Sequence, residues 1–595
     1  MKYTTLPVQK SSRDMLSVFR GYNHNLQIAE GEFYDMKNMT SDHFPLLSSR
    51  GKRGVYTSAG NVGGIIAKEK LCYVSGEAFV IGDTRVDMGL SAGTKQLVSM
   101  GAYVIILPDK KYINTQDTED RGDIESAFDT VDSVSFNVCT ADGKAYTHIV
   151  ISSTKPENTP PETEDELPAN KRTVWINTAN INNVTLNMYS RATASWVPVT
   201  PYTRISSTGI GVNFEKQDSI TISGIVEDVI IGSVEALNGT WVLRDKGDDY
   251  LVVDAFVWRG VTLKPEDATV HVAREMPNID FLIESENRLW GCRYGIAKNG
   301  DFVNEIYASA LGDFKNWSRF MGTAADSYAV SCGTDGPFTG AITLGGYPLF
   351  WKENCLHKIY GNYPANYQVQ TTECRGVQAG CANSLAIVNE VLYYKSRSAV
   401  CAYDGSLPVE VSAALGTERY GFAAAGCIGN KYCISMEDEK GEWHLFVFDT
   451  ARGLWHREDH FRADGFCQLQ GELYAIDHGS KKIVTMLGSG MQDKNPVDWM
   501  VQTGVLGLGM PDNKYISRIN IRMSLELGSR VRFLIQYDSS GKWEHLFSMS
   551  GTSLQSYTVP VRPRRCDHFC LRMEGVGQVR VYSISKTIEQ GSDAR

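Results

Sequence analysis

The chain has 595 residues, of which 42 % are hydrophobic, 22 % charged and 10 % aromatic, a globular mixture that excludes disorder as the main state and leaves room for about four domains. Lys+Arg 59 against Asp+Glu 69 leaves a net charge of −10, which excludes a whole-surface basic footprint for gripping duplex DNA. Thirteen scattered cysteines without a C-x-x-C pair read as reduced, mostly buried thiols of a protein assembled in a reducing cytoplasm.

Residues 1–58 are polar and irregular apart from short clusters such as GEFYDM, and read as an extended N-terminal arm. No apolar leader region opens the chain and no run approaches the ~18 apolar residues of a membrane span, so no membrane anchor is expected. From residue 59 a phrase begins to recur: a short apolar strand, a polar or Gly/Asn turn, then an aliphatic or aromatic residue opening the next strand. It reads IIAKEKLCYV and LVSMGAYVII in residues 59–115, the first blades, and returns in 277–494 as FLIESENRLWG, ITLGGYPLFW, IVNEVLYYK, CIGNKYCIS and CQLQGELYAI. Its anchors are Leu71, Tyr103, Leu289, Leu349, Leu392, Tyr432 and Leu473. The last three intervals are 43, 40 and 41 residues, the ~40–50 residues of a four-stranded propeller blade. One small antiparallel sheet cannot bury both faces, whereas sheets packed face to face can, so the pattern predicts a seven-bladed β-propeller. An irregular β-sandwich with coincidental spacing is the alternative.

The 186-residue gap between Tyr103 and Leu289 exceeds one blade, and residues 116–276 are assigned to an inserted β-barrel or sandwich. Alternation in VSFNV and NVTLNMY supports strands there. KPENTPPETEDELP, rich in proline and carboxylates, reads as an exposed, mobile loop. Residues 495–595 are assigned to a C-terminal β-sandwich, because SRINIRMSLEL places Ile519, Ile521, Met523, Leu525 and Leu527 on one face. The whole is expected to be all-β.

No catalytic, cofactor-binding or metal-binding residue is assigned. HREDH (456–460) lacks the H-E-x-x-H helix and reads as a blade connection; CDHFC (566–570) lacks a fourth ligand and reads as a strand. GVLGLG (504–509) has its glycines in the wrong order for a dinucleotide loop. SMEDEKGEW, ending at Trp443, only loosely resembles the Asp-box turn of sialidase-type propellers. RGD at Arg121–Asp123 is a chance tripeptide, and Arg562, Arg564 and Arg565 read as a basic solvated or pairing edge.

Three segments, GYNHNLQIAEGEFYDMKNMTSDHFPLLSSRGKRG, EIYASALGDFKNW and RPRRCDHFCLRMEGVGQVRVYSISKTIEQGSD, resemble structural proteins of phages and prophages. With the propeller, insert and arm, the chain is similar to the nozzle (tail tubular protein B) family of short-tailed phages, the likeness covering the arm, the later blades and the C-terminal domain. The resemblance implies a virion tail protein assembled in the bacterial host cytoplasm. It implies a ring homo-oligomer of six copies below a portal and tail adaptor, neighbouring tail fibres or other tail proteins, through which DNA passes without tight binding. It carries no catalytic residues and implies no enzyme and no cofactor. The rival expectation is a glycan-binding or glycan-hydrolysing β-propeller on the virion surface.

Overall fold

The structure, a computed structural model, describes residues 11–56, 60–225, 237–266, 269–492, 495–510 and 513–591. The first ten residues of the expected arm, and 57–58 at its end, lie outside the described residues.

The chain is all-β: a seven-bladed β-propeller with an inserted β domain and a C-terminal β-sandwich. Blade one is Val62–Ala67, Leu71–Ser75, Ala78–Ile81 and Thr84–Asp87; blade two is Gln96–Met100, Tyr103–Leu107, Lys111–Asn114 and Arg121–Asp123. Blades three to six begin at Phe281–Ser285, Gly340–Leu344, Ala386–Val388 and Tyr420–Ile428, and blade seven at Ala463–Leu469. Each anchor of the repeat sits on the second strand of its blade, and all but the half-buried Tyr103 are buried. The turns explain why the phrase recurs. Glu286-Asn287, Gly345-Gly346, Asn389-Glu390 and Gln470-Gly471 all have positive φ at both central positions. That backbone matches the twist of a two-residue hairpin.

Two compact units divide the chain, 1–97 with 338–358 and 370–595, and 98–337 with 359–369. The first holds blade one, most of blade four, blades five to seven and the sandwich. Its core runs through Trp351, Tyr394, Tyr432 and Phe446 to Met36, Trp499 and the sandwich residues Ile519 and Phe533. Blade seven packs on blade one through Ile476, Ile483, Leu71 and Tyr73. Gly54–Val55 of the arm enters blade seven between Ile483–Thr485 and Met491–Gln492. The rest of the described arm is woven into the C-terminal sheet. Ser11–Leu16 pairs with Val579–Gln590, and Phe33–Lys37 with Asp498–Thr503. GEFYDM and MTSDHFPLL thus supply core, with Phe33, Met36, Met39 and Leu47 at most 2 % exposed.

In the sandwich, Lys514–Tyr537 buries Ile519, Ile521, Met523 and Leu525 as the alternation predicts. Leu527, expected on the same face, is 99 % exposed. The register with Glu544–Val559 shifts between Leu525 and Arg530, and there the strand exchanges its neighbour Val579–Gln590 for Phe569–Val576. A bulge changes the side-chain phase, and burial resumes at Val531, Phe533 and Ile535.

The second unit holds blades two and three, packed through Ile105, Leu107, Leu282, Leu289 and Trp317, and the insert between them. Arg121–Asp123 completes blade two, and the insert opens with Ser126–Asp129, whose antiparallel partner His271–Arg274 closes it. Two sheets of the insert enclose Phe136, Phe214, Ile220, Leu251 and Val272. A third, His148–Ser152, Thr173–Asn177, Thr185–Ser190 and Ser195–Pro198, packs beside them through Val174, Ile176 and Leu186. The acidic segment between Lys155 and Pro168 is exposed but tied down. Glu164 accepts hydrogen bonds from Thr173 N and Oγ1 at 2.9 and 3.0 Å, and Arg191 reaches Asp165 and the Pro160 carbonyl, both at 2.7 Å.

Candidate functional site

The third sheet of the insert exposes an edge that soluble proteins ordinarily protect. His148–Ser152 pairs in parallel with Thr173–Asn177, setting Ile149 opposite Val174 and Ile151 opposite Ile176. Among the described residues no strand pairs with its other side. Three successive residues on it, Ile149, Val150 and Ile151, are 41 %, 38 % and 52 % exposed. Edge strands normally carry charge, proline or a bulge that prevents pairing with another chain. This one carries a β-branched run.

Ile149 and Ile151 face a groove of about 340 Å³, whose other walls include Val138, Tyr146, Trp258 and Arg204. The chain reaches the edge strand through a tight turn at Gly143, where φ is +73° and a Cβ would lie 2.9 Å from the Tyr250 ring. The Gly143 carbonyl accepts a 2.8 Å hydrogen bond from Arg204, whose guanidinium lies 3.8 Å from the Tyr250 ring centroid. Arg204 Nε also donates to Ser206 Oγ at 3.2 Å. These contacts orient the cation, and among the described residues no carboxylate pairs with it. Burial pushes the Tyr146 phenol up to about 12, so it stays a neutral donor at ordinary pH. No carboxylate lies among the described residues lining the groove. Its chemistry is that of binding: apolar contact, aromatic faces, one cation and an open row of backbone donors and acceptors.

The motifs singled out in the sequence fall elsewhere. His456 of HREDH is buried in Leu454–Arg457, and burial pushes its imidazole down to about 4. His460 lies in the connection that follows. In CDHFC, Cys566 exchanges backbone hydrogen bonds with Lys514, His568 turns to Asp567 and Ser539, and Cys570 is buried in its strand. Burial raises the Cys566 thiol to about 11, which disfavours the thiolate that a metal needs. Leu506 of GVLGLG bridges to Phe569, a structural role. Arg121–Asp123 is an outer strand of blade two rather than a loop tip, and Arg564 pairs with Glu544 at 2.8 Å. HREDH and SMEDEKGEW do meet, however, on a rim of blade six: Glu442, His444 and His460 each bring one ligand-type atom within 4.8 Å of the others.

The groove is absent from the motifs because its signal, the run HIVIS, has no polar alternation and its His148 and Ser152 belong to no motif spacing. All thirteen cysteines are free thiols, and no helix among the described residues is long and apolar enough to cross a membrane.

No protein-family model and no curated protein matches the chain. Among solved structures it is similar to the phage phi92 endosialidase, at 9 % identity and a TM-score of 0.26, over 76 % of this chain and 72 % of that one. It is also similar to an exo-β-1,3-galactanase from Phanerochaete chrysosporium, at 8 % identity and a TM-score of 0.21, over 51 % and 95 %. An engineered glycoside hydrolase with endo-xylanase and exo-arabinofuranosidase activity matches at 7 % identity and a TM-score of 0.20, over 52 % and 99 %. None of these three is named as a tail tubular protein. The expectation that the chain is not an enzyme is corrected on this ground: the proteins it is similar to include hydrolases, and enzyme activity is not excluded. At these identities and TM-scores the likeness shows no family for this chain.

Proposed function

We propose that this chain is an assembly component of a phage-type tail, a nozzle-like propeller that works as a ring of copies. In that ring the His148–Ser152 edge of each insert is covered by a neighbouring copy. The observation that carries the proposal is the β-branched edge, unpaired among the described residues, with three successive exposed side chains. Strand addition satisfies such an edge with main-chain hydrogen bonds, while alternate side chains enter the groove. A head-to-tail contact of this kind closes into a ring when the rotation permits. A tail adaptor above, tail fibres beside and DNA passing through are the partners of this reading. The net charge of −10 accords with weak contact to DNA, because tight phosphate contacts would hold the duplex in transit. Ile151→Lys tests it: the variant should keep its fold and lose adaptor-templated assembly. Assembly unchanged from wild type would refute the role of this edge.

One observation favours a second reading, in which the same groove holds a glycan on the virion surface. Trp258 and Tyr146 offer faces for the apolar side of a sugar, with Asn137, Arg204 and Ser206 beside them as hydrogen-bonding groups. Binding to host polysaccharide that Trp258→Ala abolishes, with assembly intact, would establish this reading in place of the first.

A further inference from the structure

The rim cluster of blade six is organised more closely than a chance meeting of polar side chains. The turn joining Lys431–Asp438 to Trp443–Asp449 wraps the Asp438 carboxylate. Oδ1 accepts the backbone N–H groups of Lys440 and Glu442, each at 2.9 Å, and Oδ2 lies 3.0 Å from His444 Nε2. A carboxylate only accepts, so Nε2 carries the proton and Nδ1 keeps a bare lone pair. His444 is 7 % exposed, and its buried Nδ1 has no hydrogen-bond partner. His460 is fixed in the same manner. Its Nδ1 donates to the Trp443 carbonyl at 3.0 Å, which leaves Nε2 as the lone pair. The two rings lie 4.9 Å apart, and Glu442 adds an exposed carboxylate within the 4.8 Å cluster.

A buried acceptor without a donor is costly to keep, and a cation removes that cost. Histidine ligands characteristically hand their second nitrogen to a carboxylate or a carbonyl, the arrangement both rings show. Two imidazoles and one carboxylate suit zinc better than calcium or magnesium, which prefer oxygen throughout. We propose that Glu442, His444 and His460 bind one divalent transition-metal ion of the zinc type, with Asp438 as a positioning residue. The ion would join the hairpin turn to the segment leaving blade six, and its fourth position would be open to water. This site is separate from the docking groove and stands or falls independently of it.

The test uses the full chain stripped with chelator and titrated with zinc chloride against a chromophoric competitor, with cobalt(II) as the spectroscopic probe. One zinc per chain and a tetrahedral cobalt spectrum are expected. His444 is too buried to be the informative variant. His460→Ala and Glu442→Gln, both at exposed positions, should each weaken zinc at least tenfold and leave the apo protein's melting temperature unchanged. Asp438→Asn should weaken binding by about 10- to 100-fold while retaining the tetrahedral cobalt signature. No stoichiometric zinc in the wild type would overturn the proposal. So would equal zinc affinity in His460→Ala and Glu442→Gln, which would place the ion elsewhere.

Discussion

Val55 and Val484 lie directly opposite one another in an antiparallel pair, and through that pair the N-terminal arm supplies a strand to the last blade. Met491 meets Val55 from the other side. The blade is therefore completed by residues from both ends of the propeller's sequence, and its stability depends on the arm.

Gly54 marks the point of closest approach. A Cβ there would lie 2.2 Å from the Ser489 carbonyl oxygen and 2.6 Å from Thr485 Oγ1. Gly54→Val should cost about 1–3 kcal/mol by overpacking. Hydrogen exchange should show protection lost at Ile483–Thr485 and kept at Tyr347–Trp351. Unchanged protection at Ile483–Thr485 would mean that the arm strand does not hold blade seven.

Acid should weaken the fold through two buried histidines. Burial lowers both His357 and His456 to about 4 from the usual 6.5. Between those values the unfolded chain binds more protons than the folded one, so stability is complete above pH 6.5 and falls as pH drops towards 4. The loss is at most about 3 kcal/mol for each group. Denaturant midpoints measured from pH 7 to 4 should fall less steeply in His456→Gln than in wild type. Identical slopes would show that His456 is not held neutral.

The insert is pinned to blade three's connection by a buried network. Arg274 pairs with Asp218, their side chains 6 % and 4 % exposed, and Asn316 donates to Asp218 at 3.2 Å. Arg274→Met leaves a buried carboxylate without its cation and should cost about 3–5 kcal/mol, part of which Asp218→Asn should restore in the double variant. Chemical denaturation of the two singles and the double measures this coupling, and strictly additive losses would contradict it.

The later blades are legible in the sequence because their anchors follow two-residue turns in which positive φ restricts the residues, as at Asn389-Glu390 before Leu392, whereas Leu71 follows the three-residue turn Lys68–Lys70. Leu527 is not, because a bulge moves the chain out of the alternation that correctly places Ile519 to Leu525. The arm reads as polar because its apolar residues are dispersed, and only the pairing of Phe33–Lys37 with Asp498–Thr503 shows what they cover. The rim cluster escapes motif reading for a spatial reason. His444 and Glu442 lie in a hairpin, and His460 joins them from the next connection through its bond to the Trp443 carbonyl. The groove escapes because HIVIS is unremarkable until the sheet leaves its outer edge open.

The central claim is that copies of this chain meet at the exposed edge of the insert. It is tested most directly by the mass and symmetry of the particle formed by the full chain with its tail adaptor, imaged to a resolution that traces strands. A closed ring is predicted, with a strand of the neighbouring copy paired along His148–Ser152 and Ile149 and Ile151 covered. A chain that stays monomeric with the adaptor, or a ring that leaves that edge open to solvent, would contradict the account.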